Sequence, residues 1–391
     1  MKRLGTALFF VAFAALCLAQ EGRNPEAVSE FPGINSETAN SSAKTSVEFA
    51  VSAGTLASLF PDPNARELAE SNIERARVAV KNADGSIQID ADIFPKDGSD
   101  LQKVISGISV ISDLPEASFV GAENMAAWAS ATAMDESAAA AMSRIFKKTA
   151  TPRTELLAEA ILDADLFGPG KGRYAEVLED LDSIVLIEKS DSDFEKLAKK
   201  VKTMAALRAK IMREDAPPPP PLAEKLDGMD IISMQFGIHD IRAKAYSAAC
   251  IAGGYEIFAT GGSPESAKGM LAKYARTVSA GTPVKDNIGE RMDGAGKILV
   301  MRPDKLLAGL KKFFGDTEGV NFSHMYDFGD NFSMEIPKEG EFDPVEVRAF
   351  FGNGKIGIST SLTRRNLAWL APHLKKRIAE GKGGQPSTQR N

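Results

Sequence analysis

Residues Arg242–Arg276 read RAKAYSAACIAGGYEIFATGGSPESAKGMLAKYAR. Two apolar-rich runs flank Gly253-Gly254, and Ser263-Pro264 opens a helical pattern. Gly-Gly between such runs is a hairpin signal, because the favoured two-residue turn needs positive φ at both central positions. Serine suits a helix N-cap and proline the first helical position. The stretch therefore reads as strand, turn, strand, helix.

The unit recurs. Upstream, Arg77 to Phe94 is a hairpin around Ala83-Asp84-Gly85, followed by a helix that Ser99 can cap. Downstream, VEVRAFF and KIGISTSL flank Gly352-Asn353-Gly354, and Thr363 caps the helical pattern RRNLAWLAPHLKKRIAEG. Between these lie the strand patterns SVEFAVS from Ser46, ASFVGA from Ala117, SIVLIEK from Ser183, MDIISMQFG from Met229 and GKILVMR from Gly296. Helices are expected over MAAWASATAMDESAAAAMSRIFKK from Met125, TELLAEAILDADLF from Thr154 and YAEVLEDL from Tyr174. A further helix over the DSDFEKLAKKVKTMAALRAKIM run would be capped by Asp191 or Ser192. Residues 279–294 read as an irregular loop and 322–336 as two short strands.

Four elements repeat at near-constant spacing. The hairpins at Ile87 and Tyr255 are 168 residues apart, the units at Ser118 and Ile298 are 180 apart, those at Ile184 and Ile356 are 172 apart, and the strands at Val47 and Ile231 are 184 apart. Such regularity points to a duplicated domain of about 160 residues. Two differences stand out: residues 61–76 lack a counterpart, and 150–180 read as helical where the second copy has strands. The expected fold class is α+β, with two tandem, internally duplicated domains, each an antiparallel or mixed sheet with helices packed mainly on one face. The boundaries are a signal peptide at 1–19, a flexible leader at 20–44, a first domain at 45–212, a proline-rich linker at 213–222, a second domain at 223–380 and a disordered tail at 381–391. The five prolines at 217–221 favour an extended spacer over a ligand for a proline-binding module.

The N-terminus has the three-part pattern of a secretory signal. Lys2 and Arg3 precede the apolar run LGTALFFVAFAAL, and Cys17-Leu18-Ala19 suits cleavage before Gln20. The run is shorter than the roughly 20 residues of a spanning helix. Lipidation at Cys17 is the lesser alternative, since Leu16 stands where a small residue is expected. Export to the periplasm or medium follows, with no transmembrane span after cleavage. Cleavage changes the formal charge from −6 to −8 and leaves Cys250 as the lone cysteine, so no intramolecular disulfide is available. Cys250 lies among small apolar residues and reads as a core filler.

An acidic chain offers no basic face to phosphates, which excludes nucleic acid as the expected partner. His239, His324 and His373 are scattered and form no metal-ligand spacing, so neither a metal nor a cofactor is expected. Asp327-Phe328-Gly329 lacks the other kinase motifs, and Gly168-Pro169-Gly170-Lys171-Gly172 lacks phosphate-loop spacing. The densest polar cluster is His324, Tyr326, Asp327 and Asp330, a conceivable base or metal site beside the blander reading of a strand-end turn. Arg364 and Arg365, in the first turn of the last helix, are a candidate anion contact. The expected function is that of an exported non-enzymatic module binding a protein or small molecule. Two alternatives stay open: an extracytoplasmic hydrolase using acidic residues in a cleft between the halves, and a structural subunit of an envelope assembly.

Overall fold

The computed structural model of the chain describes residues 46–58, 63–83, 86–149, 172–212, 219–238, 243–314, 320–321, 333–334, 338 and 340–369. The expected signal peptide, leader and tail lie outside these residues, as do the first two prolines of the proline run and the expected helix at Thr154.

In chain order the first half contributes β1 (Ser46–Ser52), α1 (Ala53–Ser58), α2 (Pro63–Asn72), β2 (Ile73–Ala83), β3 (Ser86–Pro95), α3 (Asp100–Ser106), β4 (Ile108–Val110), β5 (Ala126–Met134), α4 (Glu136–Thr149), β6 (Arg173–Asp180), β7 (Ser183–Lys189) and α5 (Phe194–Met212). The second half contributes β8 (Leu222–Leu226), β9 (Met229–Ile238), β10 (Ala243–Ala252), β11 (Tyr255–Gly261), α6 (Pro264–Ala280), β12 (Lys297–Met301), α7 (Pro303–Phe314), β13 (Val320–Asn321), β14 (Ser333–Met334), β15 (Val345–Gly352) and β16 (Lys355–Leu362). Residues 364–369 are helical.

The fold is mixed α+β, and one sheet dominates it. Its strand order is β1-β2-β3-β16-β15-β12-β5-β6-β7-β11-β10-β9-β8, with β4 pairing β5 off this path. Every ladder among the described residues is antiparallel. One sheet per half was expected; a single shared sheet is found. The ladders β3–β16, β5–β12 and β7–β11 each join strands from opposite sides of the proline run. The triplet β1-β2-β3 makes no ladder with β5-β6-β7 and is bonded instead to the triplet β12-β15-β16 of the other half.

The hairpins follow from their turn residues. Gly253 and Gly254 have φ of 58° and 82°, and Ala252 pairs with Tyr255 across them. Asp227-Gly228 and Asn353-Gly354 use the same positive-φ pair. At Gly253 glycine has a second reason, since a Cβ there would sit 3.1 Å from the Val278 carbonyl of α6. The expected caps at Ser99 and Ser263 are present, accepting from the amides of Gln102 and Ser266 at 3.1 Å each. For α5 the cap is Asp193, which accepts from Lys196 N at 2.8 Å, and not Asp191 or Ser192.

Three local expectations are corrected. The alanine-rich stretch from Met125 is not one helix: Ala126–Met134 is β5, and the helix begins at Glu136 after Asp135, whose carboxylate accepts from Ala138 N at 2.7 Å. High helix propensity yields there because small side chains suit a central strand covered closely on its faces. YAEVLEDL is not helical but lies in β6, its alternation of Tyr174, Glu176 and Leu178 with Ala175 and Val177 being a period of two. ASFVGA is no strand: Pro115–Phe119 forms a 3-10 turn.

The register carries straight rows of side chains across the sheet. One row runs Glu224, Ile231, Cys250, Ile257, Ile187, Ala175, Ala129, Ile298, Arg348, Ser359, Asp90, Ala79, Glu48. On this inner face the stretch from Ile231 to Ile298 is fully buried under Leu271, Tyr274 and Val278 of α6 and the segments holding Val120 and Ile288. Past Ile298 the inner face turns charged, with Arg77–Glu48, Lys81–Asp90 and Lys355–Asp92 pairs at 2.7, 2.7 and 2.8 Å. There the apolar cluster of Val78, Ile89 and Ala91 lies on the outer face. Helices also sit against both faces at the β10 end, where one was expected. Leu197 and Val201 of α5 cover Ile232 and Ala249 on the outer face, opposite α6. Strand β10 permits this because its buried residues are small on both sides, Ala248 and Cys250 against Ala249. No helix among the described residues is long and apolar enough to cross a membrane.

Candidate functional site

The adjacent outer-face row runs Val47, Val80, Ile89, Thr360, Val347, Leu299, Trp128, Glu176, Leu186, Phe258, Ala249, Ile232, Ala223. It crosses the whole sheet and holds a single ionisable residue, Glu176 of β6. Trp128 of β5 is its direct cross-strand neighbour, and the indole N–H donates to the carboxylate. From Val347 to Phe258 the row is half-buried, so this part of the outer face is neither sealed core nor open surface.

Burial dominates the electrostatics. It pushes the Glu176 carboxyl up to about 7; the indole hydrogen bond works against this, and the nearby Glu188 carboxylate adds to it. Tyr174, two residues earlier and on the same face, is raised to about 12 by burial, with Glu176 and Glu188 contributing. The next row places Lys297 of β12, Ser130 of β5 and Tyr174 side by side. Burial lowers the Lys297 ammonium, and no carboxylate among the described residues pairs with it. Ser130 and Thr132, both buried on this face, share a hydroxyl hydrogen bond of 3.1 Å.

The border toward β11 is neutralised by a salt-bridge network. Lys200 of α5 reaches Glu188 at 2.9 Å and Glu256 at 2.7 Å, and Ser190 donates to Glu256 at 2.8 Å. Its ammonium also lies 5.0 Å from the centre of the Phe258 ring. Lys200 is thus committed to Glu188 and Glu256. Glu176 has an indole for a partner and, among the described residues, no cation.

Of the residues singled out in the sequence, His324, Tyr326, Asp327 and Asp330 lie outside the described residues. Arg364 and Arg365 are exposed in the first turn of the helix at 364–369. Arg365 donates to Asp343 Oδ1 at 3.0 Å and to the Gly340 carbonyl at 3.1 Å, while Thr363 donates to Asp343 Oδ2 at 2.6 Å. The carboxylate beside this helix start is therefore the chain's own. Cys250 is fully buried on the inner face, and burial pushes its thiol up to about 12. Glu176, Trp128, Tyr174 and Lys297 were missed. Tyr174, Glu176 and Trp128 fell in segments read as helical, and only the period of two in YAEVL could have placed Tyr174 and Glu176 together. No protein family, curated protein or solved structure matches this chain.

Proposed function

We propose that this chain is an exported, non-enzymatic binding module whose ligand surface is the half-buried outer face around Trp128, Tyr174 and Glu176. One observation carries the reading. A carboxyl group is the single ionisable group of a sheet-wide, largely apolar row, where its desolvation costs the fold stability. A ligand group hydrogen-bonded to Glu176 would offset that cost, and the flat aromatic and aliphatic neighbours suit an apolar ligand body. The only cysteine of the expected mature chain lies on the opposite face of the sheet and offers this surface no nucleophile.

Export rests on the N-terminal sequence pattern. Duplication of the halves is supported by strand order. Counting outward from the β5–β12 pair gives β6, β7, β11, β10, β9 on one side and β15, β16, β3, β2, β1 on the other. Those are the partners that the sequence spacings of 168, 172 and 184 residues pair up. Superposing the two triplets of each half in an experimental structure tests it.

A second reading draws on the carboxyl pair. Glu176 is held near neutrality while Glu188 faces Lys200, and two acids in unlike environments are what acid–base hydrolysis uses. Glycan, ester and peptide substrates turned over by the wild-type chain and not by Glu176→Gln would favour it.

The binding reading is tested through tryptophan emission. The chain has two tryptophans, so Trp369→Phe leaves Trp128 as sole reporter. Titration with amino acids, short peptides, sugars and organic cations should give a saturable emission change with one class. A panel that leaves Trp128 unmoved overturns the reading.

A further inference from the structure

On the outer face, two oppositely ionisable groups stand close without answering one another. Glu176 is on β6 and Lys297 on β12, with β5 between them. Their rows are adjacent, Leu299–Trp128–Glu176 and Lys297–Ser130–Tyr174, so the pair is two strands and two residues apart. Strand spacing of about 4.8 Å and a rise of about 3.4 Å per residue put their Cα atoms roughly 12 Å apart on the diagonal. Lys200 of α5, over the β11 side of this face, is held by Glu188 and Glu256. Glu188, Glu256 and Lys200 are thus matched among themselves, and no ion pair among the described residues joins Glu176 to Lys297. The ground between them is the Trp128 ring and the buried Ser130, whose hydroxyl is shared with Thr132. Apolar flanks extend on both sides, Leu299 and Val347 beside the lysine, Leu186 and Phe258 beyond the glutamate.

We infer that this surface takes a zwitterionic short peptide with apolar side chains, its terminal ammonium at Glu176 and its terminal carboxylate at Lys297. The inference rests on the binding reading above and adds the ligand class. Two or three residues of extended chain span about 7–10 Å. That fits the gap left once both long side chains lean inward. A free amino acid carries its charges too close together to meet both groups, and a plain organic cation would leave Lys297 unanswered. The half-buried Trp128 ring between the two groups offers the peptide's apolar side chains a flat surface to pack on.

The test is calorimetric titration of the full chain with Leu-Leu and Leu-Leu-Leu, in free, N-acetylated and C-amidated forms, and with free leucine. A free di- or tripeptide should bind at least about tenfold more tightly than either capped form and than leucine, as expected for losing one charge-assisted contact. Glu176→Gln should erase the preference for a free amine and keep that for a free carboxylate; Lys297→Met should do the reverse. Equal binding of free and capped peptides, or no peptide binding, overturns the inference. If peptides fail while another class in the Trp128 emission panel saturates, the binding reading survives and the ligand class falls. If either variant unfolds early in a thermal scan, the capped peptides on the wild-type chain still decide the matter.

Discussion

Trp128 and Glu176 face each other directly across β5 and β6, and the indole N–H binds a carboxyl group that burial holds near neutrality. Neither residue would be paired by sequence distance, since they stand 48 positions apart.

The first consequence is a pH profile. The Glu176 carboxyl has a pKa of about 7 in the fold against 4.5 as its ordinary value. Between those values the folded chain binds more protons than the unfolded one, so this residue's contribution to stability falls as pH rises from about 4.5 through 7 and is flat beyond. The half-exposed site limits the effect to a few kcal/mol at most. Glu176→Gln should flatten that part of the profile and be the more stable protein at pH 8, measured by urea unfolding across pH. An unchanged profile would remove burial of a charge from the account.

A second prediction concerns a buried ion pair on the inner side of the sheet. Glu116 is fully buried, and Arg173 binds it with two hydrogen bonds of 2.8 and 3.2 Å, while Lys189 N donates to the same carboxylate at 3.2 Å. Arg173→Met leaves that carboxylate without its cation and should cost about 3–5 kcal/mol. Restoring neutrality with Glu116→Gln in the same chain should recover part of the loss. Denaturant midpoints of the single and double variants check this.

Gly253 gives a third. Its positive φ and the 3.1 Å approach of the Val278 carbonyl both disfavour a side chain. Gly253→Ala should cost about 1–2 kcal/mol, whereas Gly254→Ala meets no neighbour within 4 Å and carries only the backbone penalty. Paired thermal scans should rank the two in that order.

The shared sheet gives a fourth. Because β1-β2-β3 bonds to β16 and β7 bonds to β11, neither half holds its own strands together. A protease site placed in the proline run should yield two fragments that co-elute in native buffer. Separated in urea, each alone should lack a cooperative unfolding transition, and remixing should restore it. Two independently cooperative fragments would contradict this.

Much of the fold is legible from local chemistry. Gly253-Gly254 and Asn353-Gly354 fix hairpins because few other residues accept positive φ twice in succession. Ser99 and Ser263 fix helix starts because an exposed amide needs an acceptor. Mixed α+β character follows from such pieces. Tertiary structure decided what local preference could not. Ala126–Met134 is a strand because its place between β12 and β6 rewards small side chains more than helix propensity does. Tyr174 and Glu176 share a face only once β6 is known to be a strand. Above all, the β5–β6 pairing that sets Trp128 beside Glu176, and the β5–β12 pairing across the proline run that brings Lys297 near both, depend on sheet register. Register is a property of contacts between distant strands, and the period of two within each strand leaves the choice of neighbour open.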